Sequence, residues 1–358
     1  MSGEGSASAA LAEVERQLSE LWAPEPGAPP KTRVSTANLV VLTASARRDA
    51  TVALLDQMAA PDVARTLLVS LDPRLPFGAL KAEVNARCRR DGDGLLCAER
   101  VDLALGQGLA GRAASIVAAL CVAEVPTVVA ALDPVPPELI AAVAKLGDRL
   151  VVDSRALGPE RVYRLSSELH SRAVDLAWER LEPWRRQLAA CFDDEPFRSG
   201  LASVERVTAT FTSVDEASTP LAPRLMLGWL ASRLGWTIAS PDHAVAAGGR
   251  PVRLELSPDW NSDLPPGSLV SFGLDSASGP APFAARLRHE GSPPALVVER
   301  SAAGRDEPPA RSPLRVEPLH DLFDRAIETP APDETWRQAL GIAVRMPTEA
   351  LSTRGGAL

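Results

Sequence analysis

Aromatic side chains are scarce in this chain. They make up 4 % of its 358 residues, with a single tyrosine, so Ala, Leu and Val must fill most of any core. Positive charge is never concentrated: no run of Lys or Arg exceeds a pair, and the formal net charge is −8. Nucleic-acid binders carry a basic patch to meet the phosphates, so that class is excluded. Long apolar runs are missing as well. The most apolar stretch, Ser115 to Leu132, is broken by Glu124 and Pro126, whereas a membrane helix needs ~20 predominantly apolar residues. Met1 to Ala10 has neither the charged start nor the apolar middle of a secretory signal. A cytoplasmic protein without a membrane span is expected.

Reactive side chains are also few. The four cysteines, Cys88, Cys97, Cys121 and Cys191, form no C-x-x-C pair and no Cys/His cluster. Reduced core thiols are the simplest reading in a cytosolic chain. The alternative is a redox role for Cys88 and Cys97, which flank the turn-forming Asp91-Gly-Asp-Gly94. His170, His243, His289 and His320 lie far apart in no ligand spacing, so no metal and no cofactor is expected. Ser154 lacks the G-x-S-x-G setting of a nucleophile elbow and reads as a cap or turn residue.

What is present is a chain long enough for two domains. Residues 1–31 read as an amphipathic helix and a proline-rich linker. Residues 32–160 alternate strand and helix signals: strands near 34–43, 66–71, 95–105, 127–132 and 150–153, with helices at 48–58, 77–90, 111–122 and 136–146. Such alternation argues for a mostly parallel sheet covered by helices. From 161 to 330 the pattern changes to an α+β domain. A long helical stretch runs to Ala190, with a break expected at Pro183. A strand at 204–211 follows, then a helix capped by Thr219 and stopped by Gly235. Four strand-like runs at 252–256, 268–274, 283–289 and 295–299 suggest an antiparallel sheet covered on one side. Residues 301–313 read as a loop, and a helix at 319–327 closes the domain. A last helix at 334–344 and a loose tail occupy 331–358.

One glycine motif invites a catalytic interpretation. Gly106-Gln-Gly-Leu-Ala-Gly111 follows a strand, opens a helix, and has Asp133 about 20 residues on, the layout of a dinucleotide-binding fingerprint. Against it, the motif follows two earlier strands, and its own strand carries Glu99, Arg100 and Asp102. Asp133 can equally start a turn before Pro134. The alternative function, a nucleotide-binding enzyme or sensor, would use Gly106, Gly108, Gly111 and Asp133.

The most distinctive segments are two tryptophan cassettes. Asp175-Leu-Ala-Trp-Glu-Arg-Leu-Glu-Pro-Trp-Arg-Arg runs on to Cys191-Phe192-Asp193, and Arg224-Leu-Met-Leu-Gly-Trp-Leu-Ala-Ser-Arg-Leu-Gly-Trp236 follows. They hold four of the seven tryptophans and neither a nucleophile–base pair nor a metal-ligand spacing. Trp and Arg recur among binding hot spots, which makes Trp184, Arg185 and Arg186 the candidate partner interface. A core role tying helix to sheet is the competing reading. Trp229 and Trp236 are expected to be mostly internal.

These cassettes, with Gly147-Asp-Arg-Leu-Val-Val-Asp-Ser154, resemble the hallmark segments of the OpcA family, the glucose-6-phosphate dehydrogenase assembly proteins of bacteria. The chain departs from the family at Ala130-Ala131, where relatives carry an aromatic pair, and at Pro61-Asp-Val-Ala-Arg65, where they often carry His-Pro-x-Arg. The resemblance implies a non-catalytic factor whose partner is glucose-6-phosphate dehydrogenase and which stabilises the active oligomer of that enzyme in the oxidative pentose phosphate pathway.

Overall fold

In the computed structural model, the described residues are 3–23, 26, 29–62, 64–168, 172–212, 219–277, 282–315, 317–329 and 333–346. The chain forms two compact units, Met1–Leu176 with Pro318–Pro332, and Ala177–Glu317 with Asp333–Leu358. Boundaries at 160 and 330 were the sequence expectation. The first unit instead runs on to Leu176 and takes back the segment from Pro318.

The first unit is built on strands β1 (Lys31–Arg33), β2 (Ala37–Ala44), β3 (Ala64–Leu71), β4 (Leu80–Asp91), β5 (Gly94–Leu105), β6 (Thr127–Ala131), β7 (Arg149–Val152) and β8 (Ala173–Asp175). Their order is β1-β5-β3-β2-β6-β7-β8, with β4 paired to β5. Every pair is parallel except β4 with β5. The chain starts near the centre with β2, runs outward through β3 and β5, crosses back to β6 and continues outward. That is a doubly wound sheet with its switch point between β2 and β6. Such strands are covered on both faces and read as unbroken apolar runs: β3 is buried from end to end. Leu39, Val41, Leu68, Ala130 and Val151 form a core with Leu322, Phe323 and Ala326 of the helix Leu319–Glu328. That helix is fixed by Asp324, whose carboxylate accepts the Ala59 and Ala60 amides at 2.8 and 2.9 Å.

Two segments of this unit correct the sequence reading. The helix expected at 77–90 is strand β4, paired antiparallel with β5 along its whole length. Its Ala- and Arg-rich composition hides the alternation, and the tight turn at Asp91-Gly92, with Gly92 at φ +57°, is the local signal that decides. Strand β8 lies inside the stretch read as one long helix. The helix that starts there, Pro159–Glu168, ends before it.

The second unit carries the mostly antiparallel sheet the sequence called for. Its strands are β9 (Arg206–Phe211), β10 (Thr237–Ser240), β11 (His243–Val245), β12 (Pro251–Pro258), β13 (Leu269–Ser276), β14 (Phe283–Glu290), β15 (Ala295–Ala302), β16 (Arg305–Asp306) and β17 (Ala310–Pro313). The order is β10-β11-β12-β9-β13-β14-β15-β16, with β17 also on β15 and only β12–β9 parallel. Alternation is strict in β14: Phe283, Ala285 and Leu287 are buried, Arg286 and Arg288 exposed. The stretch 301–313, read as a loop, contributes β16 and β17, whose polar residues serve an exposed edge. Strands β10 and β11 lie between the helix ended by Gly235 and the run at 252–256, where no strand was expected.

Helix Leu221–Leu234 packs against helix Glu334–Ala343 through Gly228, where a Cβ would stand 2.2 Å from the Ala339 carbonyl oxygen. Arg224 is buried beside it and donates from Nε and Nη2 to the Ala343 carbonyl at 3.1 and 2.6 Å. The helix starts after Pro220 with no side-chain cap, so Thr219 does not cap it; Gly235 ends it at φ +66°, as expected. Trp236 folds back and is buried, its amide on the Ala231 carbonyl at 2.9 Å. Gly228→Ala forces these helices apart, and ~1–3 kcal/mol of stability should be lost through overpacking, read as a lower denaturation midpoint.

Candidate functional site

In doubly wound folds ligands bind beyond the carboxyl ends of the strands, at the switch point. Here the side chains at that position bond to one another. At the end of β2, Thr43 donates to the Asp133 carboxylate at 2.8 Å, and Thr51 does so at 3.2 Å. Arg47 closes the group from the exposed side with an ion pair to Asp133 at 3.3 Å. Asp133, the expected ribose acid, is therefore a buried acceptor for two hydroxyls. Beyond β7, Asp153 caps the helix Ser154–Leu157 by accepting the Arg155 amide at 3.1 Å. Ser154 bonds the buried Asp175 at the end of β8 twice, from its amide at 2.9 Å and from Oγ at 2.6 Å. Both side chains are buried, so the serine hydroxyl is out of a substrate's reach.

The charged residues of β5 are paired as well. Glu99 is buried and accepts from Arg65 Nε at 2.6 Å, Arg33 Nη2 at 3.0 Å and Trp22 Nε1 at 2.6 Å. Asp102 takes Arg48 Nη2 at 2.7 Å. These partners explain how a parallel strand with both neighbours in place carries such residues.

The glycine motif occupies a short 3-10 turn, Gln107–Arg112, rather than opening an α-helix directly. Gly106 and Gly108 press against the loop before β4. A Cβ on Gly106 would stand 2.2 Å from the Pro76 oxygen, and one on Gly108 2.4 Å from the Phe77 ring; Gly111 faces open space. The Gly106 amide donates to Ala79 O at 2.8 Å and the Gly108 amide to Phe77 O at 2.7 Å. Two of the three glycines thus make room for the chain's own loop.

In the second unit the first tryptophan cassette folds on itself. Trp178 is buried and donates Nε1–H to Asp333 at 2.7 Å. The Arg185 guanidinium stacks on the Trp178 ring, 3.4 Å from its centroid, and donates to the Trp178 carbonyl at 2.6 Å. Burial pulls the Arg185 pKa down to about 10. Asp333 also caps the helix Glu334–Ala343, accepting the Trp336 amide at 3.0 Å. Pro183 sits in the first turn of the helix Glu182–Ala190, as its fixed φ favours. Of the three interface candidates, Trp184 is buried on this helix and Arg185 is stacked inward. Arg186 alone is exposed, paired with Glu182 at 3.1 Å. Arg185 reads as a hot-spot residue in sequence, but stacking on Trp178, seven residues earlier, turns it inward.

Cys88 and Cys97 face each other across β4 and β5 and form a disulfide, correcting the expectation of four reduced thiols. Cys121 and Cys191 are free, and burial pushes each thiol up to about 11. His243 lies beside Asp242 at 3.0 Å and His320 beside Asp321 at 3.5 Å. His289 lies on β14, and His170 lies outside the described residues. Among the described residues no group of three His, Cys, Asp or Glu could hold a metal ion, and no helix is long and apolar enough to cross a membrane. Sequence reasoning missed two exposed aromatics: Phe77, 77 % accessible, and Trp260, 58 % accessible. Their flanking turn residues, Pro76-Phe77-Gly78 and Asp259-Trp260-Asn261, are the signal that was available.

Residues 55–167 match the family described as glucose-6-phosphate dehydrogenase subunit N-terminal domain, and residues 171–340 match the C-terminal domain of the same description. The chain belongs to the OpcA family. Among curated relatives, the OxPP cycle protein OpcA of Nostoc punctiforme is 30 % identical over 222 residues, covering 56 % of this chain and 47 % of the relative. The OpcA of Synechocystis is 28 % identical over 148 residues, covering 37 % and 30 %. The chain thus spans about half, or less, of the length of the curated relatives it matches. Among solved structures, the 3-ketoreductase KijD10 of Actinomadura kijaniata aligns over 86 % of this chain and 95 % of its own, at 14 % identity and a TM-score of 0.46. The segments that resemble the family's hallmarks are those just described: Ser154 bonds to Asp175, Trp178 holds Arg185 and Asp333, and Arg224 and Gly228 lie at the contact with the helix Glu334–Ala343.

Two outcomes test this geometry. Asp333→Ala removes a helix cap and orphans the Trp178 indole, costs of ~1 and ~1–3 kcal/mol, so chemical denaturation should register a loss of about 2–4 kcal/mol. In unreduced, denatured protein a thiol titration should find the two free cysteines; all four reacting would contradict the cross-link.

Proposed function

We propose that the chain is a non-catalytic assembly or activation factor that binds glucose-6-phosphate dehydrogenase and stabilises its active oligomer. The observation that carries the reading is membership of the OpcA family across both domains. The fate of the hallmark side chains supports it. The hydroxyl, carboxylates and guanidiniums that sequence alone offers for chemistry are bonded to one another at Ser154–Asp175, Thr43–Asp133 and Arg185–Trp178. Their work is to hold a shape.

A shape-holding factor acts through linkage. If it binds the active oligomer of the dehydrogenase more tightly than the inactive form, it shifts the population toward the active one. Each tenfold preference supplies ~1.4 kcal/mol, and a near-complete switch takes about 5.5 kcal/mol. One interface with a few well-placed anchors reaches that scale. The cytoplasm is the compartment this role requires, and a redox-sensitive hairpin at Cys88–Cys97 is compatible with it.

Mixing the purified chain with the dehydrogenase of the same organism should raise the oligomer mass and lower the half-saturating concentration of glucose 6-phosphate. Unchanged mass and unchanged kinetics would contradict the proposal. The doubly wound strand order favours one second reading, a nucleotide-binding enzyme or sensor at Gly106, Gly108, Gly111 and Asp133. A melting temperature raised by NADP, NAD or ATP in the isolated chain, and lost in Gly108→Ala, would favour it.

A further inference from the structure

The loop from Asp72 to Ala79 is a knuckle at the carboxyl end of the parallel sheet. It consists of two successive turns, with the Leu75 amide on Asp72 O at 3.2 Å and the Ala79 amide on Pro76 O at 2.9 Å. Phe77 stands at its tip, flanked by the exposed Pro73 and Pro76. Single apolar residues on a surface are ordinary. Phe77 is different because its position is built. Its carbonyl is held by the Gly108 amide, its ring lies over Gly108, and Gly106 is stripped of a side chain so that the Pro76–Phe77 backbone can seat against it. Two glycines of a motif that otherwise promises a nucleotide are used to hold an aromatic ring in solvent. A ring fixed in advance loses little freedom on binding, which is how preorganised anchors gain affinity. Aromatic anchors of this kind dominate interfaces when they fill a pocket on the partner.

The charge around the knuckle narrows the partner. In a chain of net charge −8, the base of this loop bears Arg74, 79 % exposed and bonded to Asp72, whose carboxyl it holds below the usual range, and the exposed Lys81, whose charge adds a smaller effect in the same direction. The fitting surface is an apolar pocket rimmed by carboxylates.

We propose that the Phe77 knuckle is the docking anchor of this chain, entering an apolar, acid-rimmed pocket on the dehydrogenase. The inference rests on the reading of the chain as a dehydrogenase-binding factor. It is tested by titrating the 358-residue chain, and its Phe77→Ala and Trp260→Ala variants, against the dehydrogenase and measuring Kd. Phe77 is exposed, so Phe77→Ala should keep the melting temperature within about 3 °C. Its Kd should rise about 30-fold or more, the scale of a binding hot spot, whereas Trp260→Ala should change Kd by less than about threefold. Gly108→Ala, which drives a methyl into the Phe77 ring, should weaken binding in the same direction. Raised salt should weaken the parent complex by screening the rim charges. Tight binding by Phe77→Ala, or loss of binding in Trp260→Ala alone, would overturn the inference and leave the functional reading standing. Failure of the parent chain to bind at all would overturn both.

Discussion

The two hydrogen bonds from Ser154 to Asp175 join two of the most distinctive segments of the chain and fix the far side of its parallel sheet. A carboxylate taken out of water costs several kcal/mol unless donors replace the solvent, and each charge-assisted bond returns ~1.5–3 kcal/mol. Asp175 meets that requirement with the amide and hydroxyl of one residue, so strand β8 and the turn after β7 hold each other in register. Asp133 does the same for β2 and β6 through Thr43 and Thr51. Glu99 ties β5 to β3 through Arg65, and to β1 through Arg33. The acids that decorate the strand ends are the fastenings of the first unit.

The second unit uses the same logic with an aromatic at the centre. Asp333 serves both the Trp178 indole and the first turn of the last helix, while Arg185 covers the ring from the other side. Arg224 reaches the carbonyl end of that helix, and Gly228 lets its partner approach. Removing any one of these groups would leave a buried partner unsatisfied.

Sequence patterning made the fold class legible where burial imposes a period. The unbroken apolar runs of β2, β3 and β6 announced a parallel sheet, and the alternation in β14 announced a half-exposed one. It failed where two periods compete: apolar and polar residues alternate from Leu80 to Arg89, but Leu80, Val84 and Cys88 also lie four apart and suit a helix, and pairing across the Gly92 turn decides. The site was less legible. Trp184 and Arg185 carry the residue types of a binding surface, yet stacking and burial turn them inward, a tertiary outcome that no local pattern encodes. Phe77 escaped notice because its meaning depends on Gly106 and Gly108, which are distant in sequence and mimic a different motif.

In the proposed reading the two tryptophan cassettes are internal to the fold, and contact with the dehydrogenase is made elsewhere, at the Phe77 knuckle. Hydrogen–deuterium exchange of the chain, alone and with the dehydrogenase, tests this most directly. Residues 173–188 and 224–234 should already be protected in the free chain, and the partner should add protection at 73–81 and 106–112. Partner-induced protection confined to 182–190, with 73–81 unchanged, would contradict it.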